Sequence, residues 1–259
     1  MLLITIVCIL AGIGAGLGTG FAGISAATVI SPMLITLLGV PSYQAIGVAL
    51  ASDVLASAVS AMTYARNKHV DILNALAMLI SVLIMTAVGS FLASFVPNTT
   101  MGSLATIMTI FLGLKFLIKP SVPKSSPLQQ ERFGKRIGKA LLAGIYIGFI
   151  CGFVGAGGGL MMLFVLTSIL GYELKNAVGT SVFVMTFTAF TGAVSHILLS
   201  GIPSLYILFV CILSTLIAAQ IGALIANRAD NRVLNRCTGG ILTVIGVSMT
   251  AIQLASRFL

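Results

Sequence analysis

The sequence predicts an all-α polytopic membrane protein, built as two inverted repeats of about five segments each, with short glycine-broken helices meeting near the midplane. Three observations predict it. Apolar residues fill 58% of the 259 positions and charged residues only 7%, where soluble domains carry about 25% charged residues; mean hydropathy is +1.16. Apolar runs close to the length of a membrane span, about 20 residues, follow one another along the whole chain. The second half also repeats the first. At an offset of 132, Leu10-Ala11-Gly12-Ile13 falls on Leu142-Ala143-Gly144-Ile145, and without a gap Gly16, Gly20, Gly23 and Gly39 meet Gly148, Gly152, Gly155 and Gly171. Apolar composition aligns leucines by chance, but not this series of glycines.

Reading apolar runs between charge, Pro and Asn places the first-half segments at about 2–18, 24–39, 43–65, 72–96 and 100–118. The second-half segments fall at about 138–153, 158–171, 176–200, 203–226 and 236–256. The first charge is Asp53, so the long apolar start has no basic n-region and exceeds a signal-peptide h-region of about 7–15 residues. It reads as membrane segments and not as a leader. Lys119 to Arg136, with Pro120, Pro123 and Pro127 among several Lys and Arg, cannot sit in hydrocarbon. The expected organisation is a first membrane repeat over 1–118, a cytoplasmic polar linker over 119–137 and a second repeat over 138–259.

Charge sets the orientation. Arg66-Asn67-Lys68-His69 follows the third segment, but its counterpart around Gly201-Ile202-Pro203 is uncharged. The next pair reverses, with Pro97-Asn98-Thr99 uncharged and Arg228, Arg232 and Arg236 in its partner region. Cytoplasmic loops are enriched in Lys and Arg, so equivalent loops lie on opposite faces and the repeats are inverted. Inversion needs an odd number of crossings per half. The runs 1–39 and 138–171 therefore each contribute an even number, as two crossing helices or as a re-entrant pair. Either way both termini are extracytoplasmic and the chain is a multi-pass protein of the cytoplasmic (inner) membrane.

Within those runs lie two glycine clusters, Gly18-Thr19-Gly20-Phe21-Ala22-Gly23-Ile24-Ser25 and Gly152-Phe153-Val154-Gly155-Ala156-Gly157-Gly158-Gly159. Each glycine costs a helix about 1 kcal/mol relative to alanine, so breaks are expected there. Broken backbone at membrane depth is tolerated only inside protein or beside a wet cavity. New helices are expected from Ser25 and Leu160, and their unpaired N–H groups carry partial positive charge. Two such ends brought together make an anion site of backbone and hydroxyls, to which Gly23, Ile24, Ser25, Gly157, Gly158 and Gly159 are assigned. The competing reading is close helix packing, since Gly12, Gly16 and Gly20 also have GxxxG spacing. Lipid-facing glycine ridges of that kind would permit a homodimer.

Thr180 and Ser181 place two hydroxyls early in the eighth segment, for an oxyanion or for a helix carbonyl. Asp53 is the one acid well inside an expected span, and an ionisable group there is a functional candidate by default. An ionised carboxylate would repel an anion, so Asp53 is read as a proton-coupling candidate, with a structural hydrogen-bonding role as the alternative. His196 lies near an outer end and is read as interfacial.

Other functions fit less well. The net charge of +9 sits in short connections, as topology requires, and not on a nucleic-acid face. Cys8, Cys151, Cys211 and Cys237 lack CxxC or His/Cys pairing, so neither disulfide nor metal is expected, and no cofactor. Gly18-x-Gly20-x-x-Gly23 matches a dinucleotide fingerprint without its strand-turn-helix context. A membrane-embedded hydrolase would need a base beside Ser181 or Ser52, and His196 stands about 22 Å from Ser181 along one helix. The chain is not expected to be an enzyme.

The Gly-Phe-Val-Gly-Ala-Gly-Gly-Gly run at 152–159, the Ala-Val-Gly-Thr-Ser run at 177–181 and the weaker glycine copy at 18–25 resemble the sulfite exporter TauE/SafE family, also called the 4-toluene sulfonate uptake permease family. The resemblance covers nearly the whole chain. It implies a secondary transporter of sulfite or an organosulfonate, an exporter coupled to the proton gradient, with Gly157, Gly158, Gly159, Thr180 and Ser181 as motif residues. Half one departs from the motif, with Val48-Ala49 in place of Thr180-Ser181, so Ser25, Ser52 or Asp53 are the substitutes. Expected partners are the small sulfur-containing anion, protons and the lipid bilayer, with no nucleic acid. An uptake permease and a passive anion channel are the alternatives.

Overall fold

The structure is a computed structural model, and it describes residues 1–93, 133–154, 158–200 and 204–258, with scattered positions between 110 and 118. The fifth predicted segment, most of the polar linker, Pro97-Asn98-Thr99 and Gly201-Ile202-Pro203 therefore lie outside the described residues. All elements described are helical: α1 Leu2–Ala22, α2 Ala27–Leu38, α3 Ser42–Arg66, α4 Ile72–Ala93, α5 Phe133–Val154, α6 Gly158–Phe164, α7 Leu174–Ser200, α8 Leu205–Arg228 and α9 Asn231–Phe258. A π-turn over Val165–Ile169 continues α6. Helix α5 begins at Phe133, inside the stretch read as linker, with Lys135, Arg136 and Lys139 in its first turns.

Four of these helices are long and apolar enough to cross a bilayer: Leu2–Ala22, Gln44–Arg66, Leu174–Leu198 and Leu205–Arg228. Helix α2 is different. Its 12 residues rise about 18 Å, short of a hydrocarbon core of about 30 Å. It folds back along α1, placing Val29 beside Gly14 and burying Ile30 and Leu34 with Cys8, Ala11 and Ala15. The chain thus doubles back on itself within residues 1–38.

Of the three glycines in the 18–25 cluster, only Gly23 breaks the backbone. Helix α1 runs through Gly18 and Gly20 and ends at Gly23, whose φ of 60° is left-handed, a conformation glycine adopts without steric cost. Gly20 stays helical because it is packed there. A methyl on it would lie 2.6 Å from the Ala219 carbonyl oxygen and 2.7 Å from the Ala223 nitrogen of α8.

Contacts between the halves come in matched pairs. Gly12 packs onto Ser214 of α8, and Gly144 onto Ser81 of α4. Gly16 sits on Thr215 and Ala218, while Gly148 sits on Val82 and Met85. At the crossing of α3 and α7, Gly47 meets His196 and Gly179 meets Tyr64, so these two helices run antiparallel. Both short helices end on a left-handed glycine, Gly39 with φ 63° and Gly171 with φ 69°. The same closing bond follows each: Val40 N–H to Leu34 O at 3.2 Å and Tyr172 N–H to Leu166 O at 2.8 Å.

The charged connections gather at one end. There His69 Nδ1 lies 3.0 Å from Asn176 Oδ1, Lys175 Nζ donates to Asn227 O at 3.0 Å, and the Tyr172 hydroxyl donates to Asp71 Oδ2 at 3.1 Å. Asn74 bonds both Asp71 and Tyr172 and is fully buried.

Candidate functional site

A backbone break in the membrane interior must satisfy its own polar groups, and the end of α1 does so with its own Thr19 and with groups from three other helices. Gly23 N–H bonds Thr19 O at 3.0 Å and Ile24 N–H bonds Gly18 O at 3.4 Å. The Tyr64 hydroxyl of α3 donates to Gly20 O at 2.8 Å, and Thr238 of α9 donates to Phe21 O at 3.3 Å. Ser181 of α7 donates to Gly23 O at 3.3 Å, and Thr19 donates to Ile24 O at 2.8 Å. The carbonyl face of the junction is thereby closed.

Its amide face opens onto chemistry. Ser25 Oγ accepts the Ala27 N–H at 3.3 Å, as a helix cap does, and donates to Asp53 Oδ2 at 2.6 Å. The N–H of Ala26 faces the same carboxylate. Asp53 is 1% exposed, and its other oxygen, Oδ1, has no hydrogen-bond partner. The start of α2, expected from the sequence to be vacant, is thus occupied by the protein's own acid.

Asp53 lines a cavity of about 430 Å³ bounded by faces of α2, α3, α4, α6 and α7. Ser25, Gly158 and Gly159 line it too. Gly159 belongs to the crossing of the two glycine runs. A side chain there would strike the Gly23 carbonyl, and the Ser25 nitrogen and Met185 Sδ both lie at 2.8 Å from the position of its Cβ. From this crossing the cavity extends toward Ile35, Ile46 and His196, the end remote from the charged connections. On the opposite side Tyr64, Gly179 and His69 are packed together.

The other predicted site residues sit behind the wall. Gly23 and Ile24 form the turn, with Ile24 in the core. Ser181 is fully buried; besides Gly23 O, its hydroxyl lies 3.7 Å from Met185 Sδ. Thr180, also buried, accepts the Asp71 N–H at 3.2 Å. Ser52 bonds back to Val48 O at 2.8 Å. Gly157 lies outside the described residues.

Sequence reasoning did not single out Ser31, Thr86, Met162, Met185 or Thr188 as lining residues, and it placed His196 at an interface. All line the cavity. One signal was available: Met185, Thr188, Ala189, Gly192 and His196 recur on a single helix face, with polar residues among apolar ones. Among the described lining residues the titratable side chains are Asp53 and His196, with no Lys or Arg. The polar side-chain groups of this described wall are hydroxyls, the Asp53 carboxyl and the His196 imidazole.

Family comparison points to a membrane transporter. The profile described as "Sulfite exporter TauE/SafE" matches residues 8–249. The chain belongs to the sulfite exporter TauE/SafE family. Similar TauE/SafE-type relatives include the "Probable membrane transporter protein YdhB" of Bacillus subtilis, 25% identical over 225 residues, covering 85% of this chain and 89% of the relative. Another is "Probable membrane transporter protein YunE" of the same organism, 24% identical over 250 residues and covering 90% of each chain. The "Probable membrane transporter protein ORF9" of a Sinorhizobium species is 23% identical over 241 residues, covering 93% of this chain and 88% of the relative. No solved structure matches the chain. Family and relatives together indicate a membrane transporter of the TauE/SafE type.

Proposed function

We propose that this chain is a secondary transporter that exports a sulfur-containing oxyanion, sulfite or an organosulfonate, across the cytoplasmic membrane together with a proton. The supporting observation is the meeting of the two glycine runs at a cavity where Asp53 lies at the start of α2, bonded to Ser25. An ionised Asp53 both repels an anion and holds the hydroxyl donor the anion would use. Protonation of Asp53 removes the repulsion and frees the Ser25 hydroxyl and the helix end. Loss of the proton reverses this and expels the anion. Proton and anion therefore move together, and the sum of their gradients sets direction. For a monovalent anion carried 1:1, export proceeds once the cytoplasmic excess of anion surpasses the external excess of protons.

The architecture proposed for this cycle is two inverted repeats, 1–118 and 138–259, joined by a cytoplasmic linker over 119–137, with both termini extracytoplasmic. The matched glycine contacts and the antiparallel α3–α7 crossing support it. Under this topology the cavity faces outward, and rocking one repeat against the other would open the Tyr64–Gly179 side instead.

Proteoliposomes test the reading. An imposed sulfite or methanesulfonate gradient is expected to drive proton movement, read with an internal pH dye, in the same direction as the anion. Flux without any proton movement would replace the carrier with a channel. No anion-dependent flux, with or without a pH gradient, would sink the proposal.

A further inference from the structure

Hydroxyls in the helices of this protein mostly bond back to a carbonyl one turn earlier. Ser52, Ser57, Thr63, Thr167 and Thr186 all do so, the usual resting place of a helical Ser or Thr. Among the described residues, three hydroxyl oxygens are buried with no partner at all: those of Ser31, Ser60 and Thr86. An unsatisfied buried polar group is destabilising, so each invites an explanation. Ser31 and Thr86 share one: both line the cavity that Asp53 lines.

Their depths place them along one binding volume. Helices α3 and α4 are joined by the short turn after Arg66. Counted from that turn, Asp53 and Thr86 each lie about 20 Å along their helices at 1.5 Å per residue. Ser31 lies about 9 Å beyond Ser25 along α2, toward Ile35 and the remote end of the cavity. The remaining wall is supplied by apolar side chains, among them Leu50, Val82 and Met162. Two hydroxyl donors and an acid, spread over one apolar chamber whose described wall holds His196 at its remote end and no Lys or Arg, suit an oxyanion delivered with its own proton.

We propose that Ser31 and Thr86 are substrate-recognition residues: their hydroxyls donate to the oxyanion's oxygens when it settles beside the Asp53 carboxyl. This rests on reading the cavity as the transport site. It adds two residues outside the glycine and Thr-Ser motifs. It also gives the two buried, unpartnered hydroxyls an acceptor in the anion's oxygens. Discrimination would then come from hydroxyl placement, since a site built to hydrogen-bond a ligand loses strongly when that bond is missing.

The test uses the full chain in lipid nanodiscs, with calorimetric binding of sulfite and of ethanesulfonate at mildly acidic pH. Ser31→Ala and Thr86→Val are each expected to weaken binding about tenfold, which corresponds to about 1.4 kcal/mol, while thermal unfolding stays near wild type. Ser31→Thr and Thr86→Ser, which keep the hydroxyl, are expected to bind within about twofold of wild type. Ser60→Ala removes an equally orphaned hydroxyl that does not line the cavity, and is expected to bind as wild type. If wild type binds both probes and the Ser31→Ala and Thr86→Val variants bind them equally well, the assignment of these residues is overturned while the transport reading stands. If Ser60→Ala weakens binding as much, the effect is general packing and the assignment also falls. If wild type binds neither probe and moves neither in proteoliposomes, the transport reading fails and this inference fails with it.

Discussion

Asp53 and Met185 occupy corresponding positions, 132 residues apart, and both line the cavity. Half one places a carboxylate on its third helix and ties it to Ser25. Half two places a thioether at the same point and sets it against Gly159 and Ser181. The scaffold contacts around them match from half to half, whereas the chemistry does not. Symmetry therefore belongs to the packing of the chain, and function to the residues that depart from it. The one acid among the described lining residues sits on one side of this crossing, and that side is where proton chemistry is proposed.

The largest effect expected from disturbing this comparison comes from the shared crossing itself. Gly159→Val places a side chain against the Gly23 carbonyl, the Ser25 nitrogen and Met185. Backbone cannot step aside as a flexible side chain can, so the cost exceeds the ~1–3 kcal/mol of ordinary overpacking. Loss of the monodisperse peak in size-exclusion chromatography, with no measurable flux, is the expected outcome. A well-folded, active Gly159→Val protein would show that the two glycine runs do not pack as described.

Next comes the asymmetric acid. Asp53→Asn keeps the shape and removes the exchangeable charge, so anion binding is expected to persist while its pH dependence disappears. In the native chain, binding should strengthen as pH falls, because the neutral acid no longer repels the anion, and weaken as pH rises. Binding measured at four or five pH values in both proteins decides this. Parallel pH profiles would remove Asp53 from the coupling step and leave His196, the other titratable group on the wall, as the alternative.

Ser25→Ala is expected to have a smaller effect, weakening anion binding through loss of one proposed donor and lowering stability as well. It removes the acceptor of the Ala27 N–H at the start of α2, a bond worth about 1 kcal/mol, and the donor to Asp53 Oδ2. Melting in detergent should fall by several degrees. An unchanged melting temperature would mean that Ser25 holds neither the helix nor the acid. Smallest is Met185→Leu, a swap of similar volume expected to cost under about 1.5 kcal/mol and to leave flux within about twofold. A flux loss as large as that of Asp53→Asn would show that half two contributes specific chemistry after all.

Much of the framework was legible beforehand. The segment limits read from hydropathy fall within a few residues of α1–α4 and α6–α8, because burial in lipid is a property of each run's own composition. Gly23 was legible as a break, since a left-handed turn after an apolar helix favours glycine. Gly18 and Gly20 were not distinguishable from it, because their helical state depends on α8 lying close enough to hold them. Thr180 and Ser181 were legible as buried hydroxyls on α7, but their partners, Asp71 and Gly23, come from distant parts of the chain.

By itself, then, the sequence determined that this is a membrane chain of apolar helices with a repeated pattern of glycines, and it marked Asp53 as an acid needing explanation. These are local quantities, fixed by composition and spacing. The tertiary structure alone decided which face of each helix meets the cavity, and so brought Ser31, Thr86 and His196 to the wall and Asp53 to the start of α2. A helix that is apolar nearly all round carries little periodic signal of its own rotation. That rotation is set by close packing between backbones, at contacts such as Gly16 on Ala218 and Gly148 on Met85, where only the folded chain brings the partners together.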